Sequence, residues 1–132
     1  MVHYPEQAAR PHIVGAPSCG AHTDYGCVTV LAQDSVGGLK VQTRGGEWVD
    51  ATPIPNTFVV NIGDTLQFWT GGRFRSTPHR VPPTTRDRYS TAMFLQPHVD
   101  ARLTPLDGST PTGKVPTVGE YYAQRMASAI SY

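Results

Sequence analysis

The chain has 132 residues, with 11 basic and 10 acidic side chains and a formal net charge of +1, so its charge indicates neither a nucleic-acid partner nor a charged interaction tail. No apolar run approaches membrane-spanning length, and the first residues have neither the charged nor the apolar segment of a signal peptide, so we expect no membrane contact and a cytoplasmic location. Cys19 and Cys27 have no spacing typical of a disulfide framework or a metal pair, and we expect reduced thiols. Composition indicates no oligomeric state.

The 13 glycines and 12 prolines are many for a helical protein and favour short strands joined by tight turns, as in a β sandwich or barrel. Residues 1–21 predict a strand end and a loop. The β-prone runs then predict strands at 28–33, 39–42, 47–50, 58–62, 74–81 and 88–96. Residues 100–116 are predicted as a loop. Residues 118–131 are the one convincing helix, with a capping-box spacing between Thr117 and Glu120.

The motif His22-Thr23-Asp24 places an imidazole and a carboxylate two residues apart, next to a predicted strand. Residues i and i+2 of a strand share a face, so both can point at one metal ion, and His79 is the candidate third ligand. Two histidines and one carboxylate form the facial triad of non-haem Fe(II) oxygenases. A single His-x-Asp is a weak signal, because it recurs often by chance and is usually a turn histidine with a capping aspartate.

The last predicted strand adds a second candidate group. Arg88, Ser90, Phe94 and Gln96 have one parity and share a face if the strand is regular. A guanidinium beside a hydroxyl fits a carboxylate, because the guanidinium offers a fixed fork of donors. Phe94 and Gln96 are candidates for the substrate side, and a core phenylalanine with a polar strand end is the alternative.

The order of these motifs resembles that of the isopenicillin N synthase-like family of Fe(II)/2-oxoglutarate-dependent dioxygenases, over nearly the whole chain. The matching stretches are His22-Thr23-Asp24-Tyr25-Gly26, Gln33-Asp34 with Gly37-Gly38-Leu39, Gly46-Glu47-Trp48-Val49, Phe58-Val59-Val60-Asn61-Ile62-Gly63-Asp64, Ser76-Thr77-Pro78-His79-Arg80-Val81 and Arg88-Tyr89-Ser90. An ordered series of this kind is far more specific than any one motif.

The resemblance implies an all-β double-stranded β-helix, or jelly roll, with a C-terminal helix. It implies that residues 1–132 form a single catalytic domain without the N-terminal region of the family. It further implies that His22, Asp24 and His79 bind Fe(II), and that Arg88 and Ser90, with Tyr4, bind 2-oxoglutarate. Oxygen is then the second co-substrate and ascorbate an optional reductant. The implied reaction hydroxylates or desaturates a small molecule and releases succinate and CO2.

Three alternatives remain open at this point. An oxidase or cyclase like isopenicillin N synthase uses the same arginine and serine for a substrate carboxylate and consumes no 2-oxoglutarate. Zinc accepts the same ligands for hydrolysis, although no general-base carboxylate adjoins His22 or His79. A non-catalytic barrel fragment, which folds or works only with a partner segment, is the third alternative.

Overall fold

The structure is a computed structural model that describes residues 1–6 and 19–130. The part of the predicted N-terminal loop at 7–18, and the predicted last helical residue Ser131, lie outside the described residues. Within the described part, the strands are β1 Val2–Tyr4, β2 Cys19–His22, β3 Val28–Gln33, β4 Lys40–Gln42, β5 Trp48–Asp50, β6 Val59–Ile62, β7 His79–Val81 and β8 Arg88–Leu95. The helices are α1 Asp64–Trp69 and α2 Val118–Ile130.

The strands form two four-stranded sheets, in the orders β1-β8-β3-β6 and β2-β7-β4-β5. The pairs β1–β8, β2–β7, β4–β5 and β4–β7 run antiparallel. Strands far apart in the chain are neighbours in both sheets, which is typical of a jelly roll. The predicted all-β class with a C-terminal helix is therefore confirmed.

Helix α2 begins as predicted. The Thr117 N–H donates to Glu120 Oε2 at 2.9 Å, and the Glu120 N–H donates to Thr117 Oγ1 at 3.2 Å. These reciprocal bonds form a capping box. The ammonium of Lys114, 2.9 Å from Glu120 Oε1, and the Thr117 N–H together lower the pKa of the Glu120 carboxyl. The helix start is thus encoded locally.

Two details of the prediction are wrong. Residues 64–69 form helix α1, because the carbonyls of Asp24, Tyr25 and Gly26 accept its first N–H groups at 2.7–3.2 Å. This tertiary contact satisfies donors that a short helix otherwise leaves open, and local sequence does not reveal it. Strand β7 starts only at His79 rather than at residue 74, since Pro78 has no N–H to give a ladder.

The residues fall into two compact units. The first, drawn from 1–23, 30–61 and 77–93, buries Leu39 and Val81 together with the polar Arg88 and Ser90.

Within the described residues, no helix has the length and apolar character needed to cross a membrane.

The second unit is drawn from 24–29, 62–76 and 94–132. It contains both helices, and its buried residues include Leu103 and Val118. The side chain of Arg125 on α2 donates to Asp64 Oδ2 through Nε at 2.9 Å and Nη2 at 2.6 Å. The Asp64 side chain is only 7% exposed, so this two-donor ion pair compensates a buried charge at the start of α1.

Candidate active site

The predicted metal ligands lie together. His22 ends β2 and pairs in register with His79, the first residue of β7, and the two ring centroids are 4.2 Å apart. Asp24 follows His22 by two residues, after the strand has ended. One ligand atom from each of His22, Asp24 and His79 lies within 4.8 Å of the other two. The expected grouping is present, although Asp24 lies in the loop after β2 and not on the strand.

A backbone carbonyl lies within hydrogen-bond distance of Nδ1 of each histidine. His22 Nδ1 lies 2.8 Å from the Gly20 carbonyl oxygen, and His79 Nδ1 lies 3.1 Å from that of Thr77. A carbonyl only accepts, so the tautomer that satisfies these two contacts has the proton on Nδ1 and the lone pair on Nε2. The Asn61 side-chain nitrogen also lies 3.3 Å from His79 Nδ1. Both histidines are thereby prepared to bind a cation through Nε2, as metal-bound histidines commonly do.

The carboxylate of Asp24 is 9% exposed and accepts a hydrogen bond of 2.6 Å at Oδ2 from the Thr29 hydroxyl on β3. The backbone of Asp24 is held separately, because its carbonyl accepts from the Asp64 N–H at 2.7 Å. Gly63 makes this close approach possible: a Cβ at residue 63 would lie 2.9 Å from the Asp24 oxygen and closer still to the Gly26 carbonyl. The segment 24–26 and the start of α1 therefore fix each other.

Arg88 is buried, with 1% of its surface exposed, and Ser90 is 5% exposed. The guanidinium donates through Nη1 to Ser90 Oγ at 3.2 Å, through Nη2 to Gln33 Oε1 at 3.4 Å, and through Nε to the Gly37 carbonyl. Among the described ion pairs, none joins Arg88 to a carboxylate. A buried positive charge of this kind is costly until an anion compensates it.

Tyr4 pairs with Arg88 across β1 and β8, and its ring lies under the guanidinium, 4.6 Å from ring centroid to Cζ. The family resemblance implies a hydroxyl contribution from Tyr4 to co-substrate binding. What the structure shows is a cation–π contact, which orients the guanidinium plane from below.

The two predicted substrate residues lie in the second unit. Burial alternates along β8 from Arg88 to Ala92 and then stops, and Phe94 is 62% exposed. Gln96 follows the strand, and its side chain packs over Gly26. It also lines a cavity of about 300 Å³ with residues of α2, among them Tyr122 and Met126.

Sequence analysis assigns no role to Thr29 or Gln33. Both are polar residues of one parity on β3, in an otherwise apolar run, and this pattern could have indicated that they contact polar side chains such as Asp24 and Arg88. Their contacts, to Asp24 and to Arg88 respectively, show what that face is used for.

A jelly roll that brings two imidazoles and one carboxylate together is typical of proteins with a non-haem facial-triad metal centre. The donor set fits Fe(II), since it contains no thiolate and matches that triad residue for residue. The chain belongs to the 2OG-Fe(II) oxygenase superfamily, whose family model matches residues 1–97. The family resemblance seen in the sequence is confirmed.

Two relatives illustrate the likeness. The chain is 40% identical to the 2-oxoglutarate-dependent dioxygenase tropC of Talaromyces stipitatus, over 98% of this chain and 39% of that protein. It is 50% identical to a probable iron/ascorbate oxidoreductase of Dictyostelium discoideum, over 67% of this chain and 25% of that protein. The chain thus spans well under half the length of these relatives.

A solved structure agrees with the fold. The crystal structure of the rice dioxygenase for auxin oxidation superposes with a TM-score of 0.78 at 35% identity, over 96% of this chain and 44% of that chain. This match covers nearly the whole chain, whereas the family model ends at residue 97, so the fold assignment does not depend on the family model alone.

Proposed function

We propose that this chain carries the catalytic centre of an Fe(II)- and 2-oxoglutarate-dependent oxygenase that hydroxylates or desaturates a small molecule and releases succinate and CO2. The observation that carries the proposal is the convergence of His22, Asp24 and His79 within 4.8 Å in a member of this family. We keep the prediction that the chain is one catalytic domain, and that it acts in the cytoplasm.

His22 and His79 would hold the iron through Nε2, in the tautomer whose Nδ1 donates to the Gly20 and Thr77 carbonyls. Asp24 supplies the negative charge and the third ligand. When bound, Fe(II) supplies the open positions at which 2-oxoglutarate and oxygen react. His22, Asp24 and His79 would supply three ligands, and a facial triad of this kind would leave the other coordination positions to the co-substrates.

Arg88 and Ser90 bind the distal carboxylate of 2-oxoglutarate. The support is the buried guanidinium, which has three donors committed to Ser90, Gln33 and Gly37 and faces no described carboxylate. Two N–H donors remain for an anion, out of the five that a guanidinium carries. Tyr4 holds the guanidinium plane through its ring.

The cavity beside Gln96 is a candidate for the apolar part of the substrate. Its lining is largely apolar and includes Val99, Val118 and Met126, and two further lining residues, Gln96 and Tyr122, carry polar groups. A volume of about 300 Å³ is at the lower end of small-molecule sites. Exposed Phe94 lies two residues before Gln96 and offers a ring to the same ligand.

The test is an anaerobic titration of the purified chain with Fe(II) and then 2-oxoglutarate, followed by the weak visible charge-transfer band of the chelate. We expect the band for the wild-type chain and for His98→Ala, since His98 is exposed and outside the triad. We expect no band for His79→Ala.

The other outcomes separate the alternatives. Iron binding without a band favours an oxidase that does not use 2-oxoglutarate. A band that persists in His79→Ala contradicts the ligand assignment. Absence of iron binding in the wild-type chain contradicts the proposal as a whole.

A further inference from the structure

The hydroxyl of Thr29 contacts the carboxylate of Asp24, and the proposed reaction assigns no role to this contact. Thr29 is only 6% exposed, and its hydroxyl donates to Asp24 Oδ2 at 2.6 Å. A hydroxyl-to-carboxylate bond of this length is charge-assisted and among the stronger hydrogen bonds in proteins. It occupies a lone pair of Oδ2 and sets the rotation of the carboxylate about its Cβ–Cγ bond.

We infer that Thr29 is a positioning residue that holds Asp24 in a one-oxygen binding mode, with Oδ2 committed to Thr29 and Oδ1 presented to the metal. The inference rests on the proposed function, since it assumes that Asp24 binds the metal. If both oxygens bound, they would take a coordination position that an oxygenase needs for its co-substrates. Thr29 therefore protects the third open position.

The backbone contacts of Asp24 make this role separable from folding. The Asp24 carbonyl is held by the Asp64 N–H, and the close packing of Gly63 on Gly26 fixes the segment independently of Thr29. The Thr29 side chain is β-branched on a strand, so valine fills nearly the same volume. Thr29→Val should thus release the carboxylate while the main chain of residue 24 stays in place.

Thr65 offers a matched control. It is fully buried at 0% exposure, and its hydroxyl also donates a 2.6 Å bond, but to the Tyr25 carbonyl rather than to a carboxylate. Thr65→Val removes a buried hydrogen bond of similar geometry, so the two valine variants share the structural cost. They differ in whether the lost partner belongs to the carboxylate of Asp24 or to a backbone carbonyl of the neighbouring residue.

The experiment measures Co(II) binding to the full chain by calorimetry, beside the melting temperature of the metal-free protein. We expect Thr29→Val to bind Co(II) about 10- to 100-fold more weakly than wild type, the usual effect of removing a partner of a metal ligand. We expect Thr29→Ser, which keeps the hydroxyl, to restore binding, and Thr65→Val to bind Co(II) almost as tightly as wild type. Equal weakening in Thr29→Val and Thr65→Val, or none in Thr29→Val, would overturn the inference.

A second measurement needs no variant that could fail to fold. Infrared difference spectra of the wild-type chain with and without Co(II), with aspartate carboxyls carbon-13 labelled, report the carboxylate mode. A wide separation of the two carboxylate stretching bands supports one-oxygen binding, and a narrow one overturns it. Failure of the wild-type chain to bind Co(II) would overturn the proposed function itself, whereas tight binding with a narrow separation overturns only the role of Thr29.

Discussion

The buried guanidinium of Arg88 provides the most quantitative prediction. At 1% exposure, its interactions are little screened by solvent, and two of its N–H donors remain for the co-substrate carboxylate. A hydrogen bond to a charged group contributes about 1.5–3 kcal/mol. Arg88→Met, which removes both bonds, should therefore weaken 2-oxoglutarate binding by about 10²- to 10⁴-fold.

Arg88→Lys keeps the positive charge but not the forked pair of donors, so its 2-oxoglutarate affinity should lie between those of wild type and Arg88→Met. The loss of about one charge-assisted bond predicts a weakening of about 10- to 150-fold. Arg86→Met is the matched control, because Arg86 has the same parity but is exposed. Its 2-oxoglutarate affinity should equal that of wild type.

The assay is an anaerobic calorimetric titration of the Co(II)-loaded protein with 2-oxoglutarate, with Co(II) affinity measured first for each variant. We expect unchanged Co(II) affinity and the graded order wild type, Arg88→Lys, Arg88→Met for 2-oxoglutarate. Wild-type 2-oxoglutarate affinity in Arg88→Met would refute the reasoning. A parallel loss of Co(II) binding would show that Arg88 supports the fold of the site and not the co-substrate.

Two further predictions concern the packing of residue 63 and the start of α2. Gly63→Ala places a Cβ against the Gly26 backbone, so it should lower the free energy of unfolding by about 1–3 kcal/mol and weaken Co(II) binding. Gly113→Ala is the control, because a Cβ there meets open space; thermal melting and calorimetry should show neither effect. The pKa of Glu120 is lowered in the folded chain, so its hydrogen bonds with Lys114 and Thr117 stabilise the fold fully at pH values above the ordinary glutamate pKa of 4.5. This stabilisation is lost as the pH falls through the lower pKa of the folded state. Glu120→Gln should thus melt below wild type at neutral pH and equal it in acid; a gap that persists in acid would contradict this.

Much of the fold could be predicted because its signals are local. The sequence predicts strand β3 at its observed bounds, since a run that begins with three β-branched residues ends at the turn residues after Gln33. The start of α2 was predicted because a capping box needs only residues three apart. Helix α1 was missed, since carbonyls some forty residues earlier in the chain satisfy its first N–H groups.

The candidate site likewise contains residues that local sequence predicts and residues that it does not. Strand parity correctly placed Arg88 and Ser90 on one buried face, and it failed to bury Phe94. Parity decides which face a side chain occupies, but not whether another element covers that face. The contacts of Thr29 and Gln33 lie across strands, so their partners could not be read from spacing alone.

The central claim is that His22, Asp24 and His79 bind one metal ion while Arg88 binds the co-substrate carboxylate. A crystal structure of the chain grown anaerobically with Mn(II) and an unreactive 2-oxoglutarate analogue tests it most directly. The account predicts Mn(II) on Nε2 of both histidines and one oxygen of Asp24, with the distal carboxylate of the analogue on Arg88 and Ser90. Metal bound elsewhere, or an analogue that leaves Arg88 without an anion, would contradict it.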